Sequence, residues 1–534
     1  MSCTRRDFLR NTACGTVALG AVAPVSFAAE AAPIQQEADA TESCDLLVIG
    51  AGGCAGMIAV AHAHELGLNV IGVEAAPSFA ACNCCTIAGC MGVETEQQKA
   101  EARCVTVEEL FNHLYAASHY QMNPPLLSNI LYSMSKSCQL ILDTGMPTMG
   151  NFVGAPADAP IDANLTMYMF LAQGLDRAEY FDKLVEGADV RWMCAAQNLL
   201  TNDSGAVIGA RVQERDGRIV DINAPITFVA TGGFLQNKEM TSQYYGGCHL
   251  YCPPGNPFNN GWGVKEALRV GAQMGKNFST SGSALGGGNA KSPHEFAKYD
   301  PTECSAFTLC FLGGLYVNKH GDRIMKESSV TEGMMWAAEP MIRNDKWYVV
   351  VDQAQIDMLM QTEIVNLMGN AKEHMAKGDM DLWSVVLTDM QDSVNEAIEE
   401  GWAWKGETIE ELAEAAGMPH LAATIERYNG YCRDGYDAQM FKDPSYLVEL
   451  KNGPFYLLEN EAIGWLTMGG IKTTQTCQAI DADENPIEGL YMGGGDADLW
   501  GVPYIWGSST SGFSNASGYI VAEVAAGNGP VFGA

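Results

Sequence analysis

Cys44–Glu74 reads CDLLVIGAGGCAGMIAVAHAHELGLNVIGVE: an apolar run, a cluster of glycines, a small-residue stretch and a second apolar run ending on an acid. Leu46–Ile49 has the unbroken apolar character of a strand buried on both faces of a parallel sheet. Gly50, Gly52, Gly53 and Gly56 follow at once. Ala55–Leu66 has the composition of a helix packed on that sheet, and Gly67 stops it. Asn69–Val73 supplies the second strand, and Glu74 closes it. The turn fits G-x-G-x-x-A at Gly50, Gly52 and Ala55. Glycines at such a turn let backbone approach a pyrophosphate, the helix start offers free N–H groups, and the acid accepts from a ribose hydroxyl. Strand, helix, second strand and acid together favour a dinucleotide site over a bare doubly wound strand pair.

Outward from this unit, the chain has the composition of a large folded protein. Its 534 residues, 47% hydrophobic and 18% charged, suffice for two or three domains. A net charge of −33 argues against nucleic acid and anionic membrane surfaces, because a phosphate footprint needs clustered Lys and Arg. The charge reads as solvated acidic surface, with a face that docks a basic redox partner as the alternative. At the N-terminus, Thr4-Arg5-Arg6-Asp7-Phe8-Leu9 precedes the apolar run Cys14–Ala28 and a small-x-small site at Ser26-Phe27-Ala28. This pattern predicts a twin-arginine signal peptide over residues 1–29 and export to the periplasm or extracytoplasmic face. The run is shorter than the roughly 20 residues that span a bilayer, so no transmembrane segment is expected after signal removal. Residues 30–41 read as a flexible linker.

Further along, Pro77–Met91, PSFAACNCCTIAGCM, reads as a small-residue loop that crosses the cofactor. Val105–Gly145 has helical apolar spacing. Asp189–Ile222 alternates polar and apolar residues between turns at Asp203-Ser204-Gly205 and Asp216-Gly217, a β-meander. It leads into Thr227–Phe234, TFVATGGF, a buried strand ending in glycines. Gly261–Gln273 opens as a glycine turn and continues as a helix, and Asp381–Glu400 and Thr408–Tyr428 carry helical periodicity with charged outer faces.

Val48-Ile49-Gly50-Ala51-Gly52, Ala230-Thr231-Gly232-Gly233-Phe234, Gly314-Leu315-Tyr316-Val317-Asn318, Leu466-Thr467-Met468-Gly469-Gly470 and Gly489–Asp496, GLYMGGGD, occur in that order. In these motifs the chain resembles the flavoprotein family of fumarate reductase and succinate dehydrogenase, which also holds urocanate reductases and 3-ketosteroid dehydrogenases. The resemblance implies non-covalent FAD in an α/β, Rossmann-like domain of two segments, 42–288 and 468–534. It implies an inserted α+β capping domain, 289–467, with substrate where cap and flavin meet. It also implies cofactor contacts from Gly50, Gly52, Gly53, Ala55, Gly56, Glu74, Asn83, Cys84, Ala230, Thr231, Gly232, Asp496, Ser508 and Ser509. Glu74 is then expected on the adenosine ribose and Asp496 beside the ribityl chain.

The departures from that family are equally informative. Fumarate reductases hold a dicarboxylate with arginines and use another arginine as proton donor. Counted from Val317-Asn318, the donor position holds Thr331 and the substrate arginine before it holds Cys310. The C-terminal arginine position falls near Tyr504, a substrate histidine position holds Leu466, and His294 alone keeps a family histidine. Carboxylates want bidentate arginine, so fumarate is not the expected substrate. Trp465, Trp500, Tyr504 and Trp506 gather in the two C-terminal loops instead, which suits a flat apolar ligand, with core packing as each tryptophan's alternative role. The expected activity is reduction of an activated C=C bond in an enone, acrylate or steroid-like substrate. Tyr504 or His294 is the expected acid, and Trp465, Leu466, Thr331, Cys310 and Trp506 are expected around the substrate. Electrons are expected from an external carrier, a cytochrome or membrane redox protein. A ketosteroid-type dehydrogenase and a degenerate flavin-binding electron-transfer protein are the rival readings.

Seventeen cysteines are many for this length. Cys82, Cys84, Cys85 and Cys90 match no ferredoxin spacing, and no Cys-x-x-Cys-His is present for a c-type haem. Small buried residues replacing family Gly, Ser and Ala is the favoured reading. A disulfide ranks behind it, and an iron–sulfur cluster ranks last. Loss of Cys3 and Cys14 with the signal leaves an odd number, so at least one thiol lies outside any internal disulfide.

Overall fold

Short apolar runs from both ends of the chain meet in one sheet. Leu46–Ile49 (β1), Val70–Glu74 (β2), Asp189–Trp192 (β3), Ile226–Val229 (β4), Gln478–Ile480 (β5) and Pro486–Met492 (β6) line up as β5-β6-β4-β1-β2-β3. All neighbours are parallel except the edge pair β5 and β6. β4 lies between the N-terminal and C-terminal strands, with Ile226 opposite Leu46 and Thr227 opposite Leu490. Leu46, Leu47, Val48, Phe228, Val229, Leu490 and Met492 have no solvent exposure, as strands covered on both faces require.

The molecule is seen in a computed structural model. The described residues are 37–100, 105–150, 167–244, 258–276, 279–280, 289–292, 304–309, 312, 314–332, 340–341, 343–344, 346–367, 384–461, 464–500, 504 and 509–531. The expected signal peptide and most of the expected linker, together with Cys248 and Cys252, lie outside them. Ala38–Ala534 forms one compact unit. No described helix is long and apolar enough to cross a membrane.

Three helices pack together beside the sheet: Cys54–Glu65 (α1), Pro124–Asp143 (α2) and Ser509–Ala525 (α3). α3 packs on both of the others. A side chain at Gly518 would overlap the carbonyl of Ala55, so only glycine lets α3 lie this close to α1. His62 fastens the same contact, with Nε2 2.6 Å from Glu523 Oε1 and its ring stacked on Tyr519 at 4.0 Å.

The expected meander is present: Ala195–Thr201, Val207–Gln213 and Ile219–Asn223 pair antiparallel. Ala40–Ser43 extends that sheet by pairing in parallel with Ile219–Asn223. This corrects the linker boundary, because Ala40 and Thr41 are strand. The Pro77–Met91 loop is also more ordered than expected, with single turns at Phe79–Ala81 and Asn83–Cys85 and a strand at Gly89–Met91.

Leu315–Val317, Lys346–Asp352, Phe455–Glu461 and Ala403–Gly406 form a separate antiparallel sheet in the inserted segment. Its helices are shorter than their periodicity suggests. Thr408–Tyr428 is two helices, Ile409–Ala416 and Leu421–Asp434, divided where Gly417 takes φ +67. Within Asp381–Glu400, the helix covers Met390–Glu399.

A group of buried charges ties this segment together. Arg323 bonds both Glu327 oxygens at 2.6 Å and both Asp437 oxygens at 3.0 and 2.6 Å. Lys442 lies 3.8 Å from Glu327, and its Nζ donates to Tyr428 Oη at 2.9 Å. Two cations thus balance two carboxylates away from water, the condition under which buried charge is tolerated.

Candidate functional site

Three glycine loops converge at the C-terminal ends of β1, β4 and β6. At the first, Gly50 N and Ala51 N bond Val73 O, Gly50 takes φ +94, and Gly53 starts α1 without a side-chain cap. The first-turn N–H groups of α1 therefore face outward, the arrangement that receives a phosphate. A side chain at Gly50 would overlap Ala230 O, one at Gly52 would overlap Cys82 Sγ, and one at Gly56 would overlap Gly50 O. Ala55 needs no such room and is buried within α1.

Glu74, expected on a ribose, is buried at the end of β2. Its carboxylate accepts from Gly52 N at 2.8 Å and Ala76 N at 2.9 Å, so it also sets the shape of the turn. Burial pushes its carboxyl above the usual range, against those backbone bonds.

The second and third loops are locked by Asp496. This carboxylate has no exposure, accepts from the N–H of Thr231 and from Thr231 Oγ1 at 2.9 Å, and accepts from Gly233 N at 3.1 Å. Burial drives its carboxyl up to about 6, against those donors. Thr467 Oγ1 adds a second bolt, accepting from Phe234 N at 3.2 Å. Ala230 and Gly232 complete the second loop, and a side chain at Gly232 would meet Asn259 Oδ1.

Asn83 and Cys84, expected at the cofactor, stand in the Asn83–Cys85 turn. Asn83 Nδ2 donates to Trp465 O at 3.0 Å, and Asn83 Oδ1 accepts from Thr86 Oγ1 at 2.7 Å. The loop expected to carry cofactor is thereby tied to the loop expected to carry substrate. Cys84 is buried, with Sγ directed at Phe79 O. Arg177 cinches the loop from beneath, donating to Cys85 O at 3.1 Å and Ile87 O at 2.6 Å. Trp465, Leu466 and Tyr504 are each 8% exposed, and Ser509 begins α3. Trp500 stacks on Phe513 at 6.2 Å, which makes it part of the core beneath the loop as well as a candidate wall. His294, Cys310, Trp506 and Ser508 lie outside the described residues, as does the side chain of Thr331, whose backbone belongs to the helix Ser329–Glu332.

Cys82, Cys84, Cys85 and Cys90 are free and buried, and Cys90 contacts Cys138 of α2. Among the described residues, no group of three or more His, Cys, Asp and Glu is arranged to hold a metal ion.

Asn259 and Asn515 were not anticipated. Both amide atoms of each are buried without a partner, as is Trp500 Nε1. Buried polar atoms are nearly always hydrogen-bonded, so such a group beside three glycine loops is binding capacity. Free helix N–H groups, glycines that admit backbone to within contact, and unsatisfied amides together fit a dinucleotide. A polar residue inside the small-residue run SGFSNASGY was the one sequence signal for Asn515.

The FAD binding domain family matches residues 45–504. The chain is 27% identical over 474 residues to the vinyl phenol reductase of Lactiplantibacillus plantarum, covering 85% of this chain and 90% of that one. It is 24% identical over 475 residues to the urocanate reductase of Eggerthella lenta, covering 86% of this chain and 70% of the relative. Among solved structures, the open conformation of a flavocytochrome c3 fumarate reductase shares the fold with a TM-score of 0.64, at 22% identity over 91% of this chain and 78% of that one.

Proposed function

The chain belongs to the FAD binding domain family, among FAD-dependent oxidoreductases that act on C=C bonds, and from that premise we propose that it reduces a C=C bond conjugated to an aromatic ring or a carbonyl. The observation that carries this reading is that Trp465, Trp500 and Tyr504 are buried aromatic residues, while the positions at which the family resemblance expects arginines hold Cys310, Thr331 and Tyr504 in the sequence. Such a wall favours a flat apolar ligand and leaves a dicarboxylate without bidentate partners. The similarity to a vinyl phenol reductase supports the same reading.

In this proposal the Gly50–Gly56 turn holds the pyrophosphate, Glu74 the adenosine ribose and Asp496 the ribityl side. Asn83, Cys84, Thr231, Ser508 and Ser509 complete the cofactor's surroundings. FAD held there would, once reduced by the external carrier, supply the hydride that the β-carbon of the substrate receives. Tyr504 holds the proton that the α-carbon receives, with His294 as the next candidate. Trp465, Leu466 and Trp506 keep water out and hold the substrate plane, and Asn83 fixes Trp465 through its carbonyl. Electrons come from an external carrier, for which the acidic surface is the docking candidate.

Photoreduced protein mixed with vinyl phenols, enones, acrylates, steroids and fumarate tests this directly. Rapid flavin reoxidation by conjugated substrates and not by fumarate is expected. Reoxidation by fumarate alone overturns the proposal, and faster reduction of the oxidised protein by saturated analogues favours a dehydrogenase. Tyr504→Phe is expected to keep flavin and fold while slowing reoxidation by roughly 10²–10⁴, the usual effect of losing a general acid. An unchanged rate removes Tyr504 from the mechanism. Residues 1–29 support export by the twin-arginine route, and Arg5→Lys with Arg6→Lys is expected to retain an uncleaved precursor inside the cell, read by fractionation and blotting.

A further inference from the structure

The strand Gly89–Met91 and the helix α2 bring two thiols together. Cys90 Sγ and Cys138 Sγ are 3.2 Å apart, and neither residue has any solvent exposure. A disulfide bond is about 2.05 Å long, so closing this pair takes a movement of roughly 1 Å. Gly92 makes the approach possible: a Cβ there would lie 3.0 Å from Cys138 Sγ and 2.7 Å from Thr95 Cγ2. On its other side the strand is held by α3. Ser511 Oγ donates to Gly89 O at 2.7 Å, and a Cβ at Gly512 would lie 2.6 Å from Met91 Cβ. The thiol pair therefore joins a strand gripped by α3 to a helix that flanks it.

We propose that Cys90 and Cys138 are an oxidisable pair that hydrogen peroxide converts into a disulfide, fastening the strand Gly89–Met91 to α2. Peroxide is the fitting oxidant because it is small and neutral enough to reach thiols without solvent exposure. One thiol attacks peroxide, gaining an S–O bond as the O–O bond breaks and water leaves. The second thiol attacks that sulfenic sulfur, forming the S–S bond and releasing a second water. Two electrons pass from the two sulfurs to peroxide, and both thiol protons leave in water. Burial, and then the neighbouring Cys138 sulfur, hold the Cys90 thiol protonated well above the usual range. The first attack is accordingly slow, since the thiolate is the nucleophile.

The experiment uses the flavin-loaded protein, exposed to hydrogen peroxide, then denatured, alkylated, digested and analysed by mass spectrometry. The expected result is a peptide pair joined through Cys90 and Cys138, lighter by two hydrogens, separated by dithiothreitol, and a raised unfolding temperature in the oxidised protein. Cys138→Ala is expected to lose both the cross-link and the temperature gain while keeping its flavin. Recovery of Cys90 and Cys138 as alkylated thiols after peroxide overturns the proposal. A bridge confined to Cys82, Cys84 and Cys85 overturns it as well, as does an undiminished temperature gain in Cys138→Ala. The cross-link is read on the unaltered sequence, so it decides the matter even where the variant fails to fold.

Discussion

Asp496 and Asp437 are both aspartates without solvent exposure, and they stand in opposite surroundings. Burial pushes the Asp437 carboxyl up, but Arg323 and the N–H groups of Met440 and Lys442 more than reverse this and hold it at about 2. Asp496 is met by the Thr231 and Gly233 donors, and burial leaves its carboxyl at about 6. Around Asp437 the acceptors are matched by Arg323 and by backbone donors. Around the glycine loops, Asn259, Asn515 and Trp500 keep unpartnered buried atoms, whereas Thr308 alone does so within the inserted segment among the described residues. A buried carboxylate with its own cation is structural. One held by dipoles, among amides with bonds to give, belongs to a binding site.

Breaking the finished network should have the largest effect. Arg323→Ala leaves Glu327 and Asp437 buried without their guanidinium and is expected to cost about 3–5 kcal/mol, read by urea unfolding. A smaller loss than that of Asp496→Asn would reverse the ranking of the two regions.

The next effect is a pH dependence of the flavin-free protein. The folded pKa of Asp496, about 6, lies above its ordinary value of 3.8, so the folded state binds the proton more tightly. Its contribution is full below the ordinary carboxylate range and is lost as pH rises through about 6, an effect of about 3 kcal/mol. Asp437 has the opposite sign, because its folded pKa is depressed, and its contribution disappears as pH falls toward about 2. Asp496→Asn is expected to flatten the stability profile between about pH 4 and 6. A profile unchanged by that substitution would show that Asp496 is not the titrating group.

The smallest expected effect sharpens the cofactor side alone. Gly52→Ala puts a methyl against Cys82 Sγ and Glu74 Oε2 and is expected to weaken flavin binding by about tenfold, or about 1.4 kcal/mol, and so to lower flavin occupancy. The ratio of flavin to protein absorbance measures it, with circular dichroism as the check that the fold persists.

The strand, turn and helix of Cys44–Glu74 are legible in the sequence because apolar runs, glycines and a terminal acid are local signals. A dinucleotide follows from them, and FAD from the family resemblance that the later glycine motifs carry. Ala40–Ser43 is not legible, since ATES has no strand signal of its own and its partner is Ile219–Asn223. The break at Gly417 is hidden because apolar spacing continues across a single glycine. Proximity in sequence groups Cys90 with Cys82, Cys84 and Cys85, but its contact is with Cys138, which only the packing of α2 reveals. Likewise an asparagine among small residues does not disclose whether its amide is satisfied. That depends on which helices close around it.

The position of β4 between β1 and β6, and of α3 against α1, has a consequence for how the molecule is made. The first glycine turn is made more than 400 residues before Gly493–Asp496 and Ser509–Ala525. Pairings across so much chain form slowly. Until Asp496 is made, Thr231 has no carboxylate to fasten it, and until Ser509–Ala525 follows, the face of the first helix that Gly518 meets is uncovered. Flavin uptake is therefore expected to wait on late-made chain: protein truncated before residue 509 is expected to purify with little flavin, read as the ratio of flavin to protein absorbance.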